Sequence, residues 1–409
     1  MGGKAMKKFD YEDFSLELED PIIVTQGDTY DKMWWGPVQF PKLSPSYDGN
    51  IICTWNTGAD SITAYEECTE GWLYGGMVSS DNGKTWRPRT KDDKAKGFIM
   101  PNGKEYVPTN GKNAFVPDWL SKYTPVMVGK NNGTAIYAPD SVSEFTHNIV
   151  SGEYDHKDGT TTNFKTELNW PHLAMHCCNH EGVLHVYPVE NTIAMGQVLR
   201  DDEGAMLLVT YTYGYSAETG KLLSADAYNV YIFRSTDNGR TWNWYSEILT
   251  TNDYYLDDPH WDGFCEPFIN KMPDGSYLCL MRTGGGLYSY MSRSEDNCKT
   301  WSKPVPFDRV GVFPQMLTLD CGVTLVSYGR PGVFLRATAD PSGLTWERPI
   351  DFEIGTDSGR TVFTLQTCSY TSLIPLGSNE ALMAYSHFRY PNSDGVEVKT
   401  IFTRKIRIV

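Results

Sequence analysis

Four residues in the second half of the chain have side chains that could bind and activate an oxygen-rich ligand: Glu266, Arg282, Arg330 and Tyr370. A tyrosine with an ordinary pKa of about 10 is scarcely ionised at neutral pH, so a phenol that acts as a nucleophile needs a base such as a carboxylate. Arginine binds anionic oxygens through a planar fork of N–H donors. Because these residues lie far apart in the sequence, a framework must bring them together.

A short motif repeated along the chain, here called the Asp-Trp motif, predicts that framework. Its aspartate can accept backbone N–H bonds across a turn, its Asn-Gly pair tolerates positive φ, and its tryptophan can pack on a neighbouring strand. Recurrence of such a unit is typical of repeat folds, so we expect a structural role rather than a catalytic one. Three clear copies and one degraded copy lie at 80–86, 236–242, 295–301 and 338–346.

A second repeat consists of a polar turn followed by an apolar strand, and it precedes the Asp-Trp motif wherever both occur. Asp-Gly and similar pairs between strand-like runs predict β-hairpins. A hairpin followed by a turn with the Asp-Trp motif predicts a four-stranded antiparallel sheet. The five segments of this second repeat are 43–52, 202–208, 273–278, 320–325 and 376–382.

The spacing of these repeats predicts the number of sheets. The motif aspartates lie at 81, 237, 296 and 340, and the long first gap leaves room for one sheet without a motif. The segment from Leu376 adds a final sheet, completed by strands from one or both chain ends. We therefore expect an all-β fold, a six-bladed β-propeller of four-stranded antiparallel blades forming a single domain over 1–409. The second blade, at about 90–188, is expected to be irregular and to contain an insertion.

Composition excludes several classes of function. The chain has 409 residues, a net charge of −15 and a pI near 5.0, which disfavours a nucleic-acid partner. No apolar run approaches the length of a membrane span, so we expect no membrane partner, and the N-terminus lacks the apolar core of a secretory signal. Nine cysteines, two of them adjacent, suit a disulfide framework poorly. These features predict a cytoplasmic protein.

The repeats, together with three further segments, resemble the sialidase (neuraminidase) superfamily, whose BNR repeats or Asp-boxes are such motifs. The segment from Phe264 to Gly284 is similar to the family's stretch with the catalytic glutamate and an arginine of the substrate-binding triad, which implies these roles for Glu266 and Arg282. The run 327–332 implies that Arg330 is another triad arginine, in preference to Arg336. The run 369–373 is similar to the nucleophile segment and implies that Tyr370 attacks the sugar.

Two positions depart from the family pattern. The family's first triad arginine is replaced here by Gln39, and the glutamate that holds that arginine, next to Tyr385, is replaced by Ser386. Loss of both partners indicates a changed site, because removal of one alone would leave a buried charge unpaired at a cost of about 3–5 kcal/mol. Lys42 could supply part of the missing charge, although a lysine cannot form a forked contact.

The resemblance also implies a carboxylic acid that protonates the leaving oxygen. Candidates lie between residues 56 and 76, where Asp60 and Glu70 are joint first choices and Glu66 and Glu67 remain open.

Two further residues are candidates for the substrate pocket. Trp35 could stack on a sugar ring or pack between blades, and His260 could reach the mouth of the pocket.

Histidines at 172, 176, 180 and 185 could suggest zinc, but i and i+4 positions share a face on a helix and not on an extended strand. We expect no metal and no cofactor.

The sequence thus predicts an exo-acting glycoside hydrolase of the sialidase-like type, cleaving a terminal, sialic-acid-like sugar from a carbohydrate substrate through Tyr370 and Glu266. Two alternatives stay open. One is a glycan-binding propeller without catalysis. The other is a glycosidase or polysaccharide lyase acting on a different sugar, because Gln39 replaces the triad arginine.

Overall fold

The repeated turns and strands of the sequence occur in the computed structural model where the two repeats predict them. The residues described are 6–29, 37–56, 76–108, 114–115, 127–128, 135–137, 149–170, 175–180, 183–187, 196–216, 219, 221–222, 227–250, 261–284, 287–355 and 366–409. Within these ranges all regular structure is β, with no helix, as the sequence predicts. Accordingly, none of the described segments forms a helix that could cross a membrane.

The described residues of the first half of the chain form sixteen strands. In chain order they are β1 (Lys7–Asp10), β2 (Ser15–Leu18), β3 (Ile22–Thr29), β4 (Gln39–Pro45), β5 (Ile51–Asn56), β6 (Gly76–Ser79), β7 (Arg87–Pro88), β8 (Glu105–Val107), β9 (Ala114–Phe115), β10 (Met127–Val128), β11 (Ala135–Tyr137), β12 (Ile149–Asp155), β13 (Thr160–Asn169), β14 (Met175–His180), β15 (Val183–Tyr187) and β16 (Gln197–Arg200).

The described residues of the second half form another sixteen strands, including most of the long ones. These are β17 (Met206–Thr212), β18 (Tyr215–Ser216), β19 (Lys221–Leu222), β20 (Asn229–Ser235), β21 (Thr241–Ile248), β22 (Trp261–Lys271), β23 (Tyr277–Gly284), β24 (Ser289–Ser294), β25 (Val305–Asp308), β26 (Gln315–Thr318), β27 (Thr324–Gly329), β28 (Val333–Thr338), β29 (Ile350–Asp351), β30 (Ser372–Gly377), β31 (Glu380–Pro391) and β32 (Glu397–Ile408).

Three sheets are the four-stranded units that the repeats predict. Their strand orders are β4-β5-β6-β7, β22-β23-β24-β25 and β26-β27-β28-β29. In each, the polar turn joins the first two strands and the Asp-Trp motif joins the last two. The remaining motif, with Asp237, joins β20 to β21 in the same way. The predicted meander is therefore confirmed in the described sheets.

Each Asp-Trp motif is held by its aspartate, as predicted from the residue types. Asp81 accepts hydrogen bonds from the backbone N–H groups of Lys84 (3.1 Å) and Thr85 (2.9 Å) and from the Thr85 hydroxyl (2.6 Å). Asn82 and Gly83 have φ values of 60° and 83°, the left-handed conformation that Asn and Gly tolerate. The hydrogen bonds from Thr85, together with those from Ser79 and Lys84, lower the pKa of Asp81 to about 2. The motif thus has the structural role expected of it.

The chain divides into two compact units. The first comprises residues 1–96, 270–278 and 308–409. It contains the sheets β4-β5-β6-β7 and β26-β27-β28-β29 and a six-stranded sheet in which β30, β31 and β32 are completed by β1, β2 and β3. Both ends of the described chain therefore contribute to this last sheet, since β2 and β3 pair with β32. Its core includes the fully buried side chains of Leu16, Leu325, Leu335, Met383 and Ile406.

The second unit comprises residues 97–269 and 279–307. It contains a seven-stranded sheet of order β16-β17-β20-β21-β13-β12-β8 and a five-stranded sheet of order β10-β11-β14-β15-β9. The region 90–188 was predicted to be irregular, and its strands β8, β12 and β13 extend the seven-stranded sheet through a parallel pairing of β13 with β21. The core of this unit packs Met206, Leu208, Tyr231, Phe233 and Trp242 together. That the chain forms a single domain over 1–409 stays a prediction.

Candidate active site

Tyr370 lies in the first unit, in the segment that leads into β30. The ring of Phe313 stacks on the Tyr370 ring, with centroids 4.8 Å apart and an interplanar angle of 22°. The ring of Phe40 meets it edge-on at 4.9 Å. The Arg330 guanidinium lies over the same ring, with Cζ 5.5 Å from the centroid. Two aromatic rings and a cation therefore surround the phenol predicted to be the nucleophile.

The residues on both sides of Tyr370 are anchored by buried hydrogen bonds. The Thr371 hydroxyl lies 2.7 Å from the Ser327 hydroxyl on β27. The Ser369 N–H donates to Thr367 Oγ1 at 3.0 Å. Because anchors on both sides limit backbone motion, the Tyr370 side chain is presented from a fixed position.

Ser386 takes part in this anchoring, which the sequence did not predict. Its hydroxyl accepts from the Cys368 N–H at 3.2 Å and lies 3.1 Å from both the Cys368 thiol and the Thr367 hydroxyl. Where the resemblance to sialidases implies a glutamate that would hold an arginine, this chain has a short hydroxyl that holds the segment before Tyr370. The substitution at Ser386 therefore has a structural function.

Arg330 and the segment of Gln39 both contact Cys368, which lies two residues before Tyr370. Arg330 is 7% exposed, and its Nη2 donates to the Cys368 carbonyl at 3.0 Å. The backbone N–H of Phe40, next to Gln39, donates to the Cys368 thiol at 3.4 Å. Cys368 thus links the segments of three residues that the sequence predicted to share a site: Gln39, Arg330 and Tyr370.

The Gln39 carboxamide is a buried polar group of this cluster. The residue is 0% exposed, and neither its oxygen nor its nitrogen has a hydrogen-bond partner in the described part of the chain. A buried amide without partners costs about 1–3 kcal/mol. Such a group in a native protein calls for a ligand or an ordered water.

Arg336, the second choice for the triad position, has a structural role instead. Its Nε donates to the Glu347 carbonyl at 2.8 Å, and its Nη1 pairs with Asp308 at 3.3 Å. These contacts join Arg336 on β28 to the end of β25 and to the segment before β29, so its guanidinium holds parts of the framework together.

Glu266 and Arg282 form an ion pair in the second unit. Glu266 lies on β22 and Arg282 on β23, and Arg282 Nη1 donates to Glu266 Oε1 at 2.7 Å. The side chains are 9% and 16% exposed, respectively. A charge-assisted hydrogen bond of this length fixes the orientation of both groups. The glutamate and arginine predicted to act at one site are therefore neighbours.

The other predicted residues lie outside the described part of the chain. These are the acid candidates Asp60 and Glu70 with their alternatives Glu66 and Glu67, and the binding candidates Trp35 and His260. The histidines of the possible zinc cluster at 176, 180 and 185 are on strands β14 and β15, and no group of three metal-ligating side chains occurs in the described residues.

Three residues on or just before the first strand of their sheets share an unusual backbone conformation that the sequence analysis missed. Each directly precedes a proline and has a positive φ, although a following proline normally drives a residue into the extended region. In each case the proline precedes the glycine of the polar turn by eight residues. The three are Phe40, Glu266 and Phe313, with φ values of 55°, 45° and 41°. A repeat of residue, proline and turn glycine at this spacing is the sequence signal that would have revealed them.

Lys399 is a buried cation that the sequence analysis also missed. It is 3% exposed, its Nζ donates to the Pro37 carbonyl at 3.1 Å, and it lies 4.8 Å from the centroid of the Phe388 ring. Burial lowers the pKa of Lys399 to about 8, and the nearby Cys368 thiol partly opposes this shift. Lys42, by contrast, is exposed on β4 and does not replace the missing arginine in the buried cluster.

The lowered pKa predicts how stability depends on pH. Between about 8 and 10.5 the unfolded chain binds a proton at Lys399 that the folded chain has lost, so this residue adds stability as pH rises through that window. Relative to Lys399→Met, the free energy of unfolding of the wild type should increase by on the order of 1–2 kcal/mol across it, allowing for partial hydration of the charge. Denaturant titrations of both proteins at several pH values measure this. A constant difference between them would refute the assigned shift.

Comparison with known proteins identifies the class. A family model described as a BNR repeat-like domain matches residues 179–382. A protein of unknown function from Dyadobacter fermentans DSM 18053 shares the fold with a TM-score of 0.50 and 16% identity over 96% of this chain and 99% of that chain. No curated protein matches the sequence.

Two other solved structures are similar at lower scores. NanB sialidase from Streptococcus pneumoniae, in a mutant form, has a TM-score of 0.46 and 11% identity over 95% of this chain and 70% of that chain. The α-L-arabinanase of Penicillium chrysogenum has a TM-score of 0.46 and 14% identity over 94% of this chain and 98% of that chain.

The meander sheets, the Asp-Trp motifs and the matched repeats define a BNR-repeat protein. Within that class, the match covers residues 179–382, and the motifs along the chain resemble those of the sialidase superfamily.

Proposed function

We propose that this protein is an exo-acting glycoside hydrolase that cleaves a terminal sugar through a covalent bond to Tyr370. The observation behind the proposal is the cluster around that residue: a phenol anchored on both sides, with the Arg330 guanidinium over its ring and the unpartnered Gln39 amide on an adjoining segment. The BNR repeat-like match and the resemblance of the sequence to sialidases support it, because tyrosine is the nucleophile of sialidases.

The proposed reaction proceeds in two steps. Glu266 removes the phenolic proton as Tyr370 Oη bonds to the anomeric carbon, while the glycosidic C–O bond breaks and the leaving oxygen takes a proton from an acid. A water molecule then attacks the anomeric carbon, its proton passes to the conjugate base of that acid, and the tyrosyl C–O bond breaks as Glu266 returns its proton to the phenolate and restores the phenol. The acid is Asp60 or Glu70, with Glu66 and Glu67 as alternatives.

The proposal requires a framework that joins the two clusters. We take the sheets as blades of a six-bladed β-propeller, in which the first strand of each blade ends near a common central mouth. The proposed reaction has Glu266 and Tyr370 act on the same sugar. Trp35 and His260 are the further candidates for contact with the sugar.

The substrate differs from ordinary sialic acid in this proposal. A triad of arginines suits a carboxylate, whereas here one member is Gln39, a neutral amide that both donates and accepts hydrogen bonds. Arg282 and Arg330 remain to bind anionic or hydroxyl oxygens. A terminal sugar with one acidic group displaced from the usual position, or with none, fits these residue types.

A second candidate function follows from the Glu266–Arg282 ion pair. A carboxylate engaged with a neighbouring arginine at 2.7 Å is also what a purely structural pair would show. That observation favours a propeller that binds glycans without cleaving them.

A screen of 4-methylumbelliferyl glycosides, including the sialoside, tests the proposal. The wild type should release fluorophore from at least one glycoside, and Glu266→Gln should lower kcat/KM by about 10²–10⁴-fold through loss of the base. Glu203→Gln is the matched control, because Glu203 also pairs with an arginine, Arg234, at 2.7 Å but is exposed.

The outcomes separate the candidates. Glycan binding without hydrolysis would favour the binding propeller, and an unsaturated, ultraviolet-absorbing product would indicate a lyase. Equal activity of Glu266→Gln and the wild type would exclude Glu266 as the base.

A further inference from the structure

Phe313 combines an exposed apolar side chain with a strained backbone. Its side chain is 40% exposed, although it is a large apolar group, and its backbone φ is 41° immediately before Pro314. A lone exposed apolar residue is ordinary on a protein surface. A non-glycine residue in this conformation costs on the order of 1–3 kcal/mol and persists where the surrounding structure enforces it, often at functional sites.

The surrounding structure does enforce it. The N–H of Val312, the preceding residue, donates to the Gly329 carbonyl at 3.0 Å, which ties this segment to the turn that contains Arg330. The Phe313 ring lies nearly parallel to the Tyr370 ring at 4.8 Å. The strained backbone thus presents an aromatic face beside a phenol and a guanidinium.

The repeat of strained residues adds an independent argument. Glu266 and Phe40 lie on the first strands of their sheets, and Phe313 lies just before β26, the first strand of its own sheet. Each of the three residues directly precedes the proline of the repeat. Phe40 also contacts Tyr370. Position 313 is therefore structurally equivalent to that of the proposed base, and a large exposed ring stands there instead of a carboxylate.

The chemistry of such a face suits one kind of ligand. A pyranose has a face of C–H groups that packs on an aromatic ring and a rim of hydroxyl groups that hydrogen-bond to polar neighbours. In a displacement at the anomeric carbon, the nucleophile lies opposite the leaving group. A ring in contact with Tyr370 therefore lies beside the terminal sugar and not beside the leaving group.

We propose that Phe313 is a specificity-determining platform that stacks on the C–H face of the terminal sugar. This inference rests on the proposed function, since it takes Tyr370 as the attacking group. It selects pyranoses with an unobstructed apolar face and explains why an exposed ring is maintained in a strained conformation.

The test measures sugar binding separately from turnover. Calorimetric titration with the free sugars corresponding to the 4-methylumbelliferyl panel gives Kd for the wild type, Phe313→Ala and Phe313→Trp. Phe313→Ala should weaken binding of the accepted sugar about tenfold, whereas Phe313→Trp, which keeps an aromatic face, should stay within about threefold of the wild type. Tyr47→Ala is the matched control, because Tyr47 is 39% exposed in the same unit.

Kinetic measurements test which part of the substrate Phe313 contacts. If the sugar is hydrolysed, the loss in Phe313→Ala should be similar for an aryl glycoside and for an oligosaccharide with the same terminal sugar, because the platform contacts the part they share. Unchanged Kd in Phe313→Ala, a loss confined to the oligosaccharide, or a wild type that binds none of the sugars would each overturn the inference. Binding that depends on Phe313 without any hydrolysis would overturn the proposed function and leave the platform intact.

Discussion

Tyr370→Phe should lower kcat on the accepted glycoside by at least about 10³-fold while leaving KM and thermal stability nearly unchanged. The substitution keeps the ring that packs against Phe40, Phe313 and the Arg330 guanidinium, and it removes only the oxygen proposed to bond to the anomeric carbon. The measurement is steady-state fluorophore release, accompanied by a thermal melt of each variant.

A second tyrosine serves as the control for this result. Tyr390→Phe removes a hydroxyl from another ring of the first unit, one that packs edge-on against Phe402 at 4.8 Å, and it should retain full turnover. Full turnover by Tyr370→Phe would show that the nucleophile lies elsewhere. Mass spectrometry of the wild type with a slow fluorinated glycoside would then identify the residue that bonds to the sugar.

Trp242→Ala should lower the free energy of unfolding by about 3–5 kcal/mol, the range for removal of a large aromatic side chain from a packed core. Trp242 is the tryptophan of the second Asp-Trp motif and is 0% exposed. Its ring meets that of Tyr106 edge-on at 6.0 Å, and it lies in the same buried cluster as Phe233 and Met206. Chemical denaturation followed by circular dichroism measures the loss.

The same strand provides the comparison. Trp244 is two residues further along β21 and is 39% exposed, so Trp244→Ala should cost less than about 1 kcal/mol. Similar losses in the two variants would contradict the assignment of Trp242 as a core anchor of the motif.

Several features of the fold were predictable because they depend on local chemistry. Asp81 and its counterparts bond to backbone groups three to five residues away, so the residue types alone specify the turn. The order of polar turn and Asp-Trp motif predicted which strands pair, and the described sheets confirm it. The parallel pairing of β13 with β21 was not predicted, because Glu167 and Thr241 are far apart in sequence and no local pattern links them.

The site was predictable to a smaller extent. Arg330 and Tyr370 were chosen by resemblance, and the structure places them against each other, whereas the resemblance did not indicate that Phe313 would cover the other face of the ring. Ser386 looked like the loss of an ion-pair partner, yet its hydroxyl has bonds of its own to Cys368. The role of a substituted residue can be assigned only when the contacts of its side chain are known.

The amino-acid sequence by itself determined the β architecture and the repeated turns of this protein, because short-range hydrogen bonds and the alternation of buried and exposed residues specify them. Tertiary structure alone decided that Phe40, Phe313 and Arg330 surround Tyr370 and that Lys399 lies buried. Burial and contact between distant segments depend on how strands from different sheets pack, and neither spacing nor residue type encodes that packing locally.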